Sequence, residues 1–110
     1  MAPNSPRQFD VVRHRVRGLR APYLIILQHH DVPSSTRIVA PLTPPERGDH
    51  DAIAPLIIVD GGELRLRLLD MAAARRAMLL ETVASATDVS DAITLALDII
   101  FSGYPIGRPH

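Results

Sequence analysis

The sequence predicts an α+β fold, in which a small curled antiparallel sheet or barrel packs against one C-terminal helix. Its 110 residues correspond to one domain with a modest core. Short β-branched and aromatic runs alternate with turns rich in proline, glycine and charge before residue 70. Apolar residues at three- and four-residue spacing follow near the C-terminus. Strands that precede a helix in this way are typical of the α+β class.

The ordered domain is expected to span residues 8–104. Residues 1–7 are polar and carry prolines, so we expect a disordered leader there. Residues 105–110 contain two further prolines and a glycine, and we expect them to form a flexible tail. The sequence contains no internal repeat, which agrees with a single domain.

Three strands are predicted in the N-terminal half of the chain. They are "FDVV" at residues 9–12, "YLIILQ" at 23–28 and "TRIVAPL" at 36–42. The basic stretch 13–22 carries a central glycine and predicts a solvated hairpin loop. The stretch 29–35 contains Pro33 and two serines, so it predicts a turn before the returning strand.

The clearest hairpin lies in the segment "PLIIVDGGELRLRLLD". Asp60, Gly61 and Gly62 separate its two strands and can supply the positive φ angles of a tight turn. The second strand alternates, so its leucines are predicted to face inward and Arg65 and Arg67 to face outward. The preceding stretch 43–51 is rich in proline, glycine and charge, and it predicts a mobile loop.

The last third of the chain contains one ambiguous segment and one clear helix. Residues 71–85 suit a helix by propensity, and a strand pair is the alternative. The final helix is predicted to begin at an Asp88 or Ser90 cap and to end at Gly103 in a left-handed cap. Its apolar positions at helical spacing are Val89, Ile93, Leu97 and Ile100, flanked by Ala92 and Ala96.

Charge and composition exclude several classes of function. Twelve basic residues balance twelve acidic ones, so no net charge attracts the chain to nucleic acid or to an anionic membrane. Cysteine is absent, which excludes thiolate metal sites and a cysteine nucleophile. The apolar runs are far shorter than the roughly 20 residues of a membrane helix, and the N-terminus is not a secretory signal. We therefore expect a cytoplasmic protein.

The residues suited to catalysis or metal binding form no recognisable motif. His29 and His30 are adjacent, so on an extended strand they would face opposite sides and could not chelate one ion. Zinc and calcium motifs and a nucleophile elbow are absent from the sequence. The side chains that could serve a metal-free ribonuclease are Arg13, His14, Thr36 and Arg37. Because such a set arises by chance among twelve basic residues, we predict no enzymatic activity. Since no motif for a metal or a cofactor is present in the sequence, we predict neither.

Several segments, taken in order, resemble the CcdB family. They are "QFDVV", "YLIILQ", "RIVAPL", "PLIIVDGGELRLRLLDMA", "ETVA" and the closing "IIFSG", and the resemblance as a whole extends from residue 8 to residue 104. The resemblance implies a small antiparallel Src-homology-3-type β-barrel with an added small sheet and one C-terminal helix. It also favours strands over a helix for residues 71–83.

The resemblance further implies the toxin of a type II toxin–antitoxin module. Toxins of this family are symmetric homodimers that bind the A subunit of DNA gyrase, and an antitoxin of the CcdA type neutralises them. They act by binding and carry out no chemistry. Two alternatives are a degenerate homologue that only dimerises and binds antitoxin, and a metal-independent endoribonuclease of the MazF type, which shares the barrel.

The family's gyrase-binding tip reads Phe-Trp-Gly-Ile at the end of the chain. The matching residues here are Phe101, Ser102, Gly103 and Tyr104, so serine replaces the tryptophan and tyrosine replaces the isoleucine. Asp98 and Ile100 take nearby family positions, and Phe9 matches a phenylalanine close to the N-terminus. Tryptophan is a common interface anchor. The resemblance therefore implies gyrase binding through a weakened tip.

Overall fold

The computed structural model describes residues 6–103, and the strands of this part belong to one seven-stranded antiparallel sheet. They are β1 (Asp10–His14), β2 (Tyr23–Ile26), β3 (Thr36–Thr43), β4 (Leu56–Val59), β5 (Gly62–Leu66), β6 (Ala72–Arg75) and β7 (Leu79–Ser85). The helix α1 (Ser90–Ser102) follows them. None of the described helices is long and apolar enough to cross a membrane. Most of the predicted leader, Tyr104 and the predicted tail lie outside the described residues.

The strand order is β4-β5-β3-β2-β1-β7, and β6 joins this sheet by pairing with β3. One side of β3 is shared between two partners. Its first part pairs with β6, with Ile38 opposite Ala73, and its end pairs with β5, with Leu42 opposite Leu66. The predicted α+β fold, in which a curled antiparallel sheet precedes a C-terminal helix, is confirmed.

Both faces of the central strands are buried. Ile25 belongs to an apolar cluster beneath α1, whereas its neighbours Leu24 and Ile26 belong to a second cluster on the other face. The basic loop between β1 and β2 packs Val16 and Leu19 against this second cluster. Burial on both faces explains why the run "YLIIL" is continuously apolar. The loop that was predicted to be solvated therefore covers part of the core, while its arginines are exposed.

Residues 71–85 form strands, as the resemblance implied. The strand β6 pairs with β3, and β7 pairs with β1, so each joins a strand far away in the sequence. A short 3₁₀ turn (Arg76–Met78) connects them. Ala74 and Leu79 are buried in the second cluster. Pairing and burial at long range therefore override the helix propensity of the alanines and leucines.

The β4–β5 hairpin has a two-residue turn. Val59 pairs with Gly62, and the residues between them, Asp60 and Gly61, adopt φ angles of 52° and 77°. Positive φ at both central positions is the type I′ geometry that suits the twist of a hairpin. The turn therefore uses two of the three predicted residues, and Gly62 begins β5.

The start of α1 differs from the predicted Asp88 or Ser90 cap. The residue before the helix is Val89, at the end of a 3₁₀ turn, and it makes no side-chain cap hydrogen bond. The Thr87 amide donates to Ser85 Oγ at 3.2 Å, which stabilises the chain just before that turn. The Ser85 side chain therefore stabilises the segment before the helix and not the first turn of the helix.

Arg65 and Arg67 do not project into solvent, contrary to the prediction. Their side chains are 17% and 15% exposed. Arg67 donates to both carboxylate oxygens of Asp49. Arg65 Nη1 donates to Asp51 Oδ1 at 2.6 Å. The connection between β3 and β4, which was predicted to be mobile, is therefore tied to the sheet by three ion pairs, since Arg65 Nε also lies 3.9 Å from Asp49 Oδ2.

The Asp49–Arg67 pair should make the stability of the protein depend on pH. Hydrogen bonds from the Arg67 guanidinium and the Glu46 amide hold the pKa of Asp49 below its ordinary value. Such a carboxylate stabilises the fold above its unfolded pKa of about 4, and this stabilisation is lost as the pH falls through the folded pKa. We expect Asp49→Asn to lower the free energy of unfolding at neutral pH. The variant should also lose less stability than the natural chain below about pH 5.

Urea unfolding between about pH 7 and pH 3 measures this dependence. The matched control is Asp51→Asn, because Asp51 is 87% exposed and also pairs with an arginine. Exposed ion pairs contribute little to stability, so this control should follow the natural chain. The same acid dependence in all three proteins would contradict the role of Asp49.

Candidate partner surface at the end of the C-terminal helix

One apolar face of α1 holds the helix on the sheet. Ile93 and Ala96 are fully buried, and Leu97 and Ile100 pack against the same cluster. These positions have the three- and four-residue spacing that the sequence predicted. The helix is therefore fixed on the sheet almost to its last turn, and the residues after Ile100 lie at the edge of the core.

A second apolar stripe lies on the outer side of α1. Leu95 is 45% exposed, Ala92 is exposed and Ile99 is half-buried. Their spacing of three and four residues aligns them along the helix. Ala92 was predicted only as a flank of the inner face, although the three- and four-residue spacing of the stripe is visible in the sequence. A helix that is apolar on two sides is usually buried on both, so we define Ala92, Leu95 and Ile99 as the outer stripe.

The helix ends with an exposed aromatic side chain. Phe101 is 74% exposed. Gly103 adopts a φ of 77°, and its amide donates to the Ile99 carbonyl oxygen at 2.9 Å, which forms the predicted left-handed cap. Ser102 Oγ donates to the Asp98 carbonyl oxygen at 2.5 Å, so this side chain turns back along the helix. The end of α1 therefore presents the Phe101 ring, and the neighbouring Ser102 adds no large side chain beside this ring.

The structure brings most of the predicted site residues together. Asp98, Ile100, Phe101 and Ser102 belong to the last turns of α1, and Gly103 caps them. Asp98 and Ile100 are half-buried, in contrast to the exposed Phe101. Tyr104, the last predicted residue of this tip, lies outside the described residues. The end of α1 is thus one continuous candidate surface.

Phe9 lies on a different element and makes the contacts of a packing residue. It precedes β1 and packs against the cluster beneath α1. Its backbone has a left-handed φ of 69°, and its amide donates to the Ile26 carbonyl oxygen at 2.6 Å. The Phe9 carbonyl oxygen accepts from the Ala86 amide at 2.8 Å. Phe9 therefore links the N-terminal end of the sheet to the segment before α1.

The residues that could serve a ribonuclease each have a separate structural contact. His14 Nδ1 accepts from the Val16 amide at 3.0 Å, and its Nε2 lies 2.5 Å from the Ala21 carbonyl oxygen. Arg37 is buried and donates to the carbonyl oxygens of Ser34, before β3, and of Thr36, at the start of β3, each at 2.9 Å. Arg13 lies 3.7 Å from a glutamate carboxylate on β7. These contacts disfavour a shared catalytic role.

The adjacent histidines lie in a turn, as predicted for residues 29–35, so the extended conformation in which they would face opposite sides is not adopted. The His29 carbonyl oxygen accepts from the Val32 amide at 3.1 Å, which closes a turn after β2. The imidazole rings of His29 and His30 stack, with centroids 4.1 Å apart and planes 25° from parallel. Reversal of the chain direction in this turn removes the strand alternation that would keep the two rings apart.

Comparison with known protein families agrees with this architecture. The family model described as CcdB protein matches residues 8–103. The matched range begins just before β1 and ends at the glycine cap of α1, so it includes the whole sheet and the candidate surface. Comparison with curated proteins finds no match.

Proposed function

The chain belongs to the CcdB family of toxins from toxin–antitoxin systems, and from this premise we propose that it is a homodimeric toxin that binds the A subunit of DNA gyrase. The binding surface is the end of α1, and an antitoxin of the CcdA type neutralises the toxin. The protein acts in the cytoplasm by binding, without chemistry. The observation that carries this proposal is the 74% exposed Phe101 at the end of a helix whose inner face is packed on the core.

An exposed phenylalanine is suited to anchor a partner. Aromatic side chains bury a large area at low entropic cost, and they are enriched in the centres of protein interfaces. The Gly103 cap ends the helix directly after Phe101 and Ser102. A ring at the end of a rigid helix has a defined position, so little ordering is needed when a partner binds.

The outer stripe supports the homodimer. Leu95 is 45% exposed on a helix whose opposite face is already buried. A two-fold interface uses the same patch on both subunits, so two copies of the stripe can cover each other. This arrangement places the two α1 helices near the two-fold axis. Both exposed ends could then contribute to one gyrase-binding surface.

A degenerate homologue that only dimerises and binds antitoxin is the second candidate. The observation that favours it is Ser102, whose side chain bonds back to the helix where the family tip has a tryptophan. The outer stripe and the sheet would be retained in such a protein. The MazF-type ribonuclease is less well supported, because His14 and Arg37 are engaged in structural contacts.

Induced expression in bacterial cells tests the three possibilities together. A gyrase-binding toxin should slow growth, reduce plasmid supercoiling and increase cleaved gyrase–DNA complexes, while mRNA stays intact. Specific mRNA cleavage that disappears in Arg37→Ala would contradict the proposal and support the ribonuclease. Normal growth and supercoiling with a detectable dimer would support the degenerate homologue.

A further inference from the structure

We propose that the turn after β2 binds one divalent transition-metal ion through His29, His30 and Asp31. This site lies on a different element from the end of α1 and does not depend on the proposed function. One ligand atom from each of the three residues lies within 4.8 Å of the other two. The three residues are consecutive, and the turn closed between His29 and Val32 brings their side chains to one side.

The distances are close to those of a bound ion. His29 Nδ1 lies 3.8 Å from Asp31 Oδ2. Zinc–nitrogen and zinc–oxygen bonds of about 2.0–2.2 Å would bring two ligand atoms to roughly 3.3 Å. Side-chain rotations can supply this difference, because the side chains of His29 and Asp31 are 48% and 84% exposed. An ion on His29 Nδ1 would replace the hydrogen bond that this atom accepts from the Asp31 amide at 3.1 Å. Their exposure also lets an ion enter directly from solvent.

The donor set selects the class of ion. Imidazole nitrogen favours Zn²⁺, Cu²⁺, Ni²⁺ and Co²⁺, and one carboxylate suits the same ions. Ca²⁺ and Mg²⁺ require shells of oxygen ligands, which these two histidines cannot supply. Three protein ligands leave at least one position of the ion open. Water or a donor from another molecule would occupy that position.

Arg7 competes with the metal ion for His30. Its Nη2 lies 2.7 Å from His30 Nε2. A guanidinium only donates, so Nε2 accepts from Arg7, while the Gln8 amide faces Nδ1 at 3.5 Å. An ion on Nε2 would displace Arg7 directly. An ion on Nδ1 would move the proton to Nε2, which could then no longer accept. Either mode breaks the Arg7–His30 bond, so removal of Arg7 should strengthen metal binding.

Calorimetric titration of the untagged natural chain with ZnCl₂ at neutral pH tests the site. We expect one ion per chain. His29→Ala and His30→Ala should each weaken binding at least about tenfold, since each removes a ligand. Arg7→Ala should strengthen it several-fold, up to about tenfold, because a hydrogen bond from a charged group no longer opposes the ion. His50→Ala and His110→Ala, which remove histidines elsewhere in the sequence, should leave the affinity unchanged.

Ring-nitrogen NMR spectra provide a second measurement that does not depend on calorimetric heat. Zinc should shift the ring-nitrogen signals of His29 and His30 while those of His14 and His50 stay in place. Absence of binding to the natural chain would overturn the proposal. Equal weakening by His50→Ala or His110→Ala would also overturn it, as would unchanged affinity after removal of both His29 and His30. Circular dichroism should show that each turn variant retains the fold.

Discussion

A chain with Ser102→Trp that ends after Tyr104 should bind the gyrase A subunit up to about a thousandfold more tightly than the natural chain. Ser102 bonds back to the Asp98 carbonyl oxygen and offers little apolar area. A tryptophan at this position could bury about 150 Å² or more in a partner pocket. At about 25 cal/mol per Å², this area corresponds to about 4 kcal/mol as an upper bound. The shorter chain also lacks residues 105–110, which follow the tip in the sequence.

The amount of gyrase–DNA cleavage complex, measured as linear plasmid at increasing protein concentration, reports this gain. Ser102→Ala in the same shortened chain is the matched control, and it should gain little because it adds no aromatic area. A natural chain that already acts at nanomolar concentration would show that the tryptophan is not needed. Failure of both proteins to act would show that gyrase is not the target.

The substitution Leu95→Asp should convert a dimer into a monomer. Leu95 is the large apolar side chain of the outer stripe that is most exposed, at 45%. A carboxylate in an apolar two-fold interface would lose its hydration, and symmetry would place two such charges in the interface. We expect the dimer dissociation constant to rise at least about a hundredfold. Because Leu95 is outside the buried clusters, the fold of each chain should be retained.

Sedimentation velocity at micromolar concentration measures the mass directly. The natural chain should sediment with twice the chain mass, and Leu95→Asp with the chain mass. The matched control is Thr94→Asp, which adds the same charge at an exposed neighbouring position outside the outer stripe. A monomeric natural chain, or a dimer that persists in Leu95→Asp, would contradict the proposed interface.

The elements that the sequence predicted well are those that depend on neighbouring residues. Asp60 and Gly61 supply the turn of the β4–β5 hairpin within a few residues of both strands. Gly103 ends α1 through a bond to the preceding turn of the same helix. The periodic positions Ile93 and Ala96 are buried as expected. In each case the local pattern and the final environment favour the same conformation.

The features that local patterns did not predict depend on distant contacts. The strand β6 forms because Ala73 pairs with Ile38, which lies far earlier in the chain. Arg67 alternates like a solvated residue, but Asp49 in a separate loop covers it. None of these partners lies within the window that a periodicity analysis examines.

The candidate surface was only partly predictable for a similar reason. The resemblance located the end of α1, and the structure places Phe101 there with 74% exposure. The outer stripe could be recognised only after the helix had been placed on the sheet, because this placement determines which side of α1 is exposed. Phe9 matches a family position, but its packing beneath α1 depends on β1 and the segment before α1.

Cleavage complexes formed with purified components measure directly whether the end of α1 binds gyrase. Purified natural protein, gyrase and plasmid DNA should give weak but measurable cleavage complexes, and Phe101→Ala should abolish them. Ile58→Ala is the matched control, because Ile58 is also an exposed apolar residue, at 55%, but lies on β4. It should behave like the natural chain. Cleavage complexes that persist in Phe101→Ala, or that never form with the natural chain, would contradict gyrase binding through the end of α1.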